Sequence, residues 1–171
     1  MAKKKVQIRK IRPSSKLPVK KNGNWYDCYV NKIQLVKGDK LQKSFNTNIF
    51  ECVDELGGNV PIKYKQGDVL ICSLGFATNL GKGYEAHLLP RSSTFAKKGL
   101  ILTNSMGLID SEYCGDNDEW IAVFYATRPG SIRVHDRLAQ MTIQKSNPDV
   151  ELEEVEELNN ENRGGFGSTG Q

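Results

Sequence analysis

The chain has 171 residues, 38% of them apolar, and a net charge of +4, which suits one domain with a sizeable core. The charge is polarised: residues 1–21 carry nine Lys or Arg and no acid, the remainder is net −5, and residues 149–161 alone hold seven acids. No apolar run is long enough for a transmembrane helix and the start lacks a signal-peptide core, so a cytoplasmic protein with no membrane partner is expected.

The first element, "KKKVQIRK", alternates Val6 and Ile8 with charges, as a lysine-protected edge strand does. Aromatics do not interleave with its cations, so no nucleic-acid partner is expected. "WYDCYV", "DVLICSLGF" and "YEAHLL" follow as short strands rich in β-branched and aromatic residues, separated by turn signals such as "KNGN", "VKGD" and "LGKG". Residues 45–67, including "DELGGN", read as an inserted hairpin. "SSTFAKKG" is the helix candidate, with Ser92 or Ser93 as N-cap, lysines at the end and Gly99 at C′. "LILT", "EWIAVFYAT", "SIRV" and "RLAQMTI" complete an all-β pattern of sandwich or barrel type. "VELEEVEEL" fits strand spacing at first and helix spacing later, and both stay open. The expected organisation is a β domain over residues 1–158 and a glycine-rich arm over 159–171.

Cys28, Cys52, Cys72 and Cys114 are widely spaced with no C-x-x-C pair, which argues against a zinc site and against disulfides. His87 and His135 have no metal-spaced partner.

Three stretches carry chemistry. At "PRSS", a helix N-terminus, the hydroxyls of Ser92 and Ser93 and the Arg91 guanidinium coincide, a combination that suits phosphate. An ordinary capped helix with a surface arginine is the plainer account. In "NSMGLIDSEYCGD", Asp110 emerges from an apolar strand end, where it can serve as a base or simply close an Asx-turn. "RGGFGSTG", Arg163 to Gly170, lacks the strand and helix that frame a P-loop. It is either a disordered tail or a lid that orders over a ligand.

Taken together and in order, "YDCYV", "PRSSTFAKKG", "NSMGLIDSEYCGD", "HDRLAQ" and "RGGFGSTG" resemble the five motifs of the trimeric dUTPase family, from about Trp25 to Gly170. The "GDND" after the third motif resembles the variant of bacilli and their phages. The resemblance implies a homotrimer of distorted jelly-roll-like subunits with active sites between subunits, hydrolysing dUTP to dUMP and pyrophosphate with Mg2+. It implies that Asp110 activates the water that attacks the α-phosphorus, and that Gln140 contacts the phosphates and that water. Arg91, Ser92 and Ser93 would bind phosphates, and Asp27 would reach the metal through water. Asn104, with the hairpin backbone at Gly107 and Ile109, would read the uracil edge, and Tyr113 would pack under the deoxyribose. Arg163, Phe166, Gly167, Ser168 and Thr169 would form the closing arm. Two departures stand out: Trp25 and Tyr26 replace the usual Ala-Gly before Asp27, and the fifth motif is two residues short between "RG" and "GFG".

Two other readings compete. A dCTP deaminase of the same fold needs a catalytic Glu in the strand after the third motif. "IAVFYAT" has none, and only Glu119 lies just before it. A regulator that uses nucleotide as a switch is the non-enzymatic alternative.

Overall fold

A computed structural model describes residues 4–21, 23–39, 54–56 (backbone) and 60–162. The structure is a β-sandwich. Its larger sheet runs in the order β4 (Asp54–Leu56), β3 (Lys32–Val36), β6 (Val69–Ser73), β11 (Ile121–Ala126), β9 (Leu100–Leu102). The facing sheet has the order β10 (Gly107–Ile109), β8 (Tyr84–Pro90), β13 (Arg137–Lys145), β2 (Tyr26–Tyr29). Two pairs flank them: β1 (Gln7–Lys10) with β7 (Phe76–Asn79), and β5 (Ile62–Tyr64) with β12 (Gly130–Ile132). All strand pairs among the described residues are antiparallel.

Period-two alternation builds the core. Leu70 and Cys72 of β6, Ala122 and Phe124 of β11, Ala86 and Leu88 of β8, and Ala139 and Met141 of β13 meet between the sheets. Trp120 is fully buried there, its ring 5.1 Å from that of Phe76. The opposite face of β6 is buried too, since Val69 and Ile71 pack with Val36 and Val123. Burial raises the Cys28 and Cys72 thiols well above their ordinary range, which leaves them inert. Cys114 is exposed.

The basic start is a solvated strand, as expected: all four residues of β1 are exposed, and among the described residues β1 pairs with β7 alone. Within residues 45–67, β4 pairs with β3 whereas β5 pairs with β12. The helix α1 (Ser92–Lys98) ends at Gly99, which adopts φ 65° and donates its N–H to the Phe95 carbonyl at 2.7 Å. Its start differs from expectation. Arg91 is the N-cap and no side chain caps the helix; the helix is held by Thr94, whose buried hydroxyl donates to the Leu138 carbonyl at 2.7 Å. Residues 147–162 form neither strand nor helix and are exposed. Among the described residues, no helix is long and apolar enough to cross a membrane.

Candidate active site

Asp27 lies on β2 next to Cys28, which points into the core, so alternation turns Asp27 outward, opposite Gln140 of β13. Its two carboxylate oxygens hold two different cations. Oδ1 is 2.6 Å from Nε of Arg91, and Oδ2 accepts from Arg137 at 2.7 Å. Gln140 donates to the Pro90 carbonyl at 3.2 Å, and the Arg91 N–H donates to the Leu138 carbonyl at 3.0 Å. These bonds lock the ends of β8 and β13 together beside the first turn of α1.

One carboxylate between two guanidiniums leaves a net positive cluster whose remaining N–H groups suit phosphate oxygens. A groove of ≈ 370 Å³ beside it is lined by Arg91, Ser93, Lys97, Lys98, His135 and Arg137 among others. Burial, with Lys16 adding to it, holds His135 below its ordinary range, so the ring adds no charge there at neutral pH.

Arg137 was not singled out from the sequence, although it lies within "HDRLAQ". On a regular strand, Arg137 and Gln140 would face opposite sides. A register shift between Arg137 and Ala139 makes a bulge, which leaves both Leu138 and Ala139 buried. The bulge turns Arg137 to the face of Asp27 and Gln140.

The third-motif residues form a separate group. Gly107 is buried against β8, and a Cβ there would sit 3.3 Å from the Leu88 Cβ and 3.7 Å from the Asn104 amide nitrogen. Asn104 is exposed on the turn before β10, in which Ser105 adopts φ 58°. Ile109 packs against the core from β10. The exposed Asp110 closes an Asx-turn with Oδ1, which accepts the N–H of Glu112 at 2.8 Å and of Tyr113 at 3.1 Å. Both readings of Asp110 are therefore compatible, since Oδ2 has no protein hydrogen bond among the described residues. The Tyr113 hydroxyl donates to the Glu119 carbonyl at 3.0 Å while its ring stays 39% exposed. Burial, then Asp118 and Glu119, push that phenol above its ordinary range.

Asp110 and Arg91 do not meet within one chain, although Ser105, on the turn after Asn104, lines a groove together with Arg91 and Ser92. Ile109 faces Ala86, and Arg91 lies five residues further along the same direction, about 17 Å at 3.4 Å per residue. Asp110 lies beyond Ile109, on the side away from Arg91. Arg163, Phe166, Gly167, Ser168 and Thr169 fall outside the described residues.

No group of three or more His, Cys, Asp or Glu among the described residues could hold a metal ion. Asp27 has lone pairs left for a water, so it fits an outer contact to a cation that arrives on phosphates, and not a protein-built cage.

The model of the dUTPase family matches residues 59–170. The chain is 49% identical over 109 residues to the SPbeta prophage-derived deoxyuridine 5′-triphosphate nucleotidohydrolase of Bacillus subtilis, covering 64% of this chain and 77% of that one. It is 31% identical over 175 residues to the deoxyuridine 5′-triphosphate nucleotidohydrolase of Heliobacterium modesticaldum, covering 97% and 96%. Its fold is similar to the dUTPase of Staphylococcus bacteriophage 80alpha solved with dUPNHPP, with TM-score 0.65, 18% identity and coverage of 99% and 100%. It is also similar to a dUTPase from phage phi11 of S. aureus, solved with a structural Mg(II) ion, with TM-score 0.62, 16% identity and coverage of 91% and 99%.

Proposed function

The chain belongs to the dUTPase family, and we propose that it hydrolyses dUTP to dUMP and pyrophosphate by joining its guanidinium cluster to Asp110 of a second copy. The observation that carries this reading is Asp27 between Arg91 and Arg137, at 2.6 and 2.7 Å, beside Gln140 and the α1 N-terminus. Such a cluster takes a polyanion, and the family match supplies its identity.

In this reading Arg91, Arg137, Ser92 and Ser93 hold the phosphate chain, with Asp27 keeping the two guanidiniums side by side. Asp110 uses Oδ2 to accept a proton from the attacking water, because Oδ1 is occupied by two backbone N–H groups. The water oxygen bonds to the α-phosphorus, the bond from that phosphorus to the bridging oxygen breaks, and pyrophosphate leaves. Gln140 orients the water and the phosphate. Asp27 would meet the water shell of a Mg2+ arriving with the triphosphate, which would supply further charge neutralisation there. The exposed face of Tyr113 packs under the sugar and excludes a 2′-hydroxyl. Asn104, with the backbone of Gly107 and Ile109, reads the uracil edge.

The separation of Asp110 from Arg91 along β8 supports a homotrimer in which a neighbour's third motif completes each site. Arg163, Phe166, Gly167, Ser168 and Thr169 close over the bound triphosphate, the arginine on phosphate and the ring on the base. Ordering such an arm costs on the order of 1–2 kcal/mol per residue, so closure needs the whole triphosphate to offset it.

The deaminase reading loses its carboxylate. Glu119 is engaged by Arg12 through both oxygens and accepts the Gly75 N–H at 2.8 Å. The deciding experiment is product release from dUTP, dCTP, dTTP and UTP with Mg2+. Pyrophosphate from dUTP, with the other three poor substrates, is the expected result. Ammonia released from dCTP would replace the hydrolase with the deaminase, and tight dUTP binding without turnover would support the switch.

A further inference from the structure

Two sequence features have no part in the reaction as described: the basic N-terminal segment and the "GDND" turn after the third motif. The structure joins them. Arg12, just after β1, reaches 107 residues along the chain to Glu119, with one nitrogen on Oε2 at 3.1 Å and another on Oε1. The pair is partly buried, the side chains 32% and 16% exposed. Oε1 also accepts the Gly75 N–H at 2.8 Å, while the Ile11 N–H donates to the Gly75 carbonyl at 3.0 Å. Arg9 adds an outer contact, its guanidinium donating to the Asp116 carbonyl.

Glu119 closes the far end of the loop that begins at Asp110. Its carbonyl accepts the Tyr113 hydroxyl at 3.0 Å, and Tyr113 in turn donates its N–H to Asp110 Oδ1 at 3.1 Å. Asp118 Oδ2 accepts the Gly115 N–H at 2.6 Å and tightens the turn between them. The next residue, Trp120, is fully buried and fixed to Phe76 through its N–H at 3.0 Å. A continuous set of bonds thus runs from Arg12 through Glu119 and Tyr113 to Asp110. This ten-residue loop contains no strand or helix; short backbone bonds at Cys114, Asp118 and Glu119 shape it locally, and side-chain bonds tie it to Asp110 and to the N-terminal segment.

We propose that Arg12, acting through Glu119, is a positioning residue for the catalytic loop, and that the N-terminal segment orients Asp110 and Tyr113 toward the substrate. An exposed ion pair contributes little. This one differs because it is two-pronged, half-buried and shared with a backbone N–H of a second element. Misplacing a reacting group by about 1 Å can cost about 10²-fold, so a loop hung on this pair is sensitive to its loss.

The kinetic test rests on the hydrolase reading, so it is joined to a measurement that does not. Arg12→Ala, Arg12→Lys and Glu119→Gln are compared with the wild type in the full-length protein. Hydrogen exchange is read at the Glu112 and Tyr113 amides, together with kcat and KM for dUTP and the dUTP-to-UTP preference. We expect faster exchange at both amides in Arg12→Ala and in Glu119→Gln, which keeps the Gly75 bond. We also expect roughly a 10- to 100-fold drop in kcat, KM within about threefold because the Asp27 cluster is untouched, and a weaker preference for dUTP. Arg12→Lys, with one prong, should fall between. Unchanged exchange at the two amides overturns the proposal whatever the activity. So does an altered melting temperature with unchanged kcat and preference, since that describes a merely structural pair. A wild-type protein that releases no pyrophosphate would instead overturn the hydrolase reading, leaving the exchange result to judge the loop.

Discussion

Asp27 Oδ2 sits 2.7 Å from the Arg137 guanidinium, 110 residues away in the chain, and its other oxygen sits 2.6 Å from Arg91. If the carboxylate holds the two cations as one unit, Asp27→Ala and Arg137→Ala should not be independent. A double-mutant cycle on kcat/KM for dUTP should give a coupling of roughly 1–3 kcal/mol. Additive losses would mean that Arg137 binds phosphate without help from Asp27.

Asp110→Asn keeps an oxygen to accept the Glu112 and Tyr113 N–H groups, so the turn and the fold should survive. Turnover should fall by roughly 10²–10⁴ because the amide cannot accept the water proton. Circular dichroism and nucleotide titration check the first half, and single-turnover kinetics the second. Normal turnover would remove Asp110 from the mechanism.

The intersubunit site can be tested by complementation. Asp110→Asn and Arg163→Ala chains, each inactive alone, are unfolded together and refolded at equal concentration. About three-quarters of the trimers are then mixed, and in each mixed ring one site of three draws both intact residues, so activity should recover to roughly a quarter of wild type. No recovery in mixed trimers verified by mass would place each site within a single chain.

Tyr113 offers a pH test. Its phenol is raised above the ordinary value, so the stabilisation from its bond to Glu119 is fully present below about pH 10 and is lost as pH climbs through the folded-state value. Ultraviolet titration of wild type minus Tyr113→Phe should therefore show one phenol ionising above pH 10. A component at or below pH 10 would contradict the burial and the neighbouring carboxylates as causes.

Gly75 adopts φ +79°, and a Cβ there would lie 2.6 Å from Ser15 Oγ and 2.7 Å from the Asn31 side chain. Gly67 has φ +88° but open space around its Cβ position. Gly67→Ala should cost about 1–2 kcal/mol from backbone strain alone. Gly75→Ala should cost about 1–3 kcal/mol more from the clash. Urea denaturation of both proteins measures the difference, and equal costs would show that Ser15 and Asn31 move aside freely.

Local chemistry made much of this protein legible. Alternating β-branched and aromatic residues marked β6, β8 and β11, and Lys97, Lys98 and Gly99 marked the end of α1, because strand period and left-handed glycine are properties of a few neighbouring residues. Asp110 was readable for the same reason, since an Asx-turn is closed within three residues. What the sequence could not determine depends on register and distance. Arg137 joins Asp27 only because a bulge at Leu138 reverses its face, and nothing in "RLAQ" announces a bulge. Arg12 meets Glu119 only because β1 pairs with β7, which brings the N-terminal segment beside Gly75. Arg91, not a serine, is the N-cap, and the helix start is tied by the Thr94 hydroxyl and the Arg91 N–H to the Leu138 carbonyl, a partner far along the chain that no local spacing reveals. Period and turn chemistry write the elements into the chain, whereas the pairing of distant strands chooses which charges stand face to face.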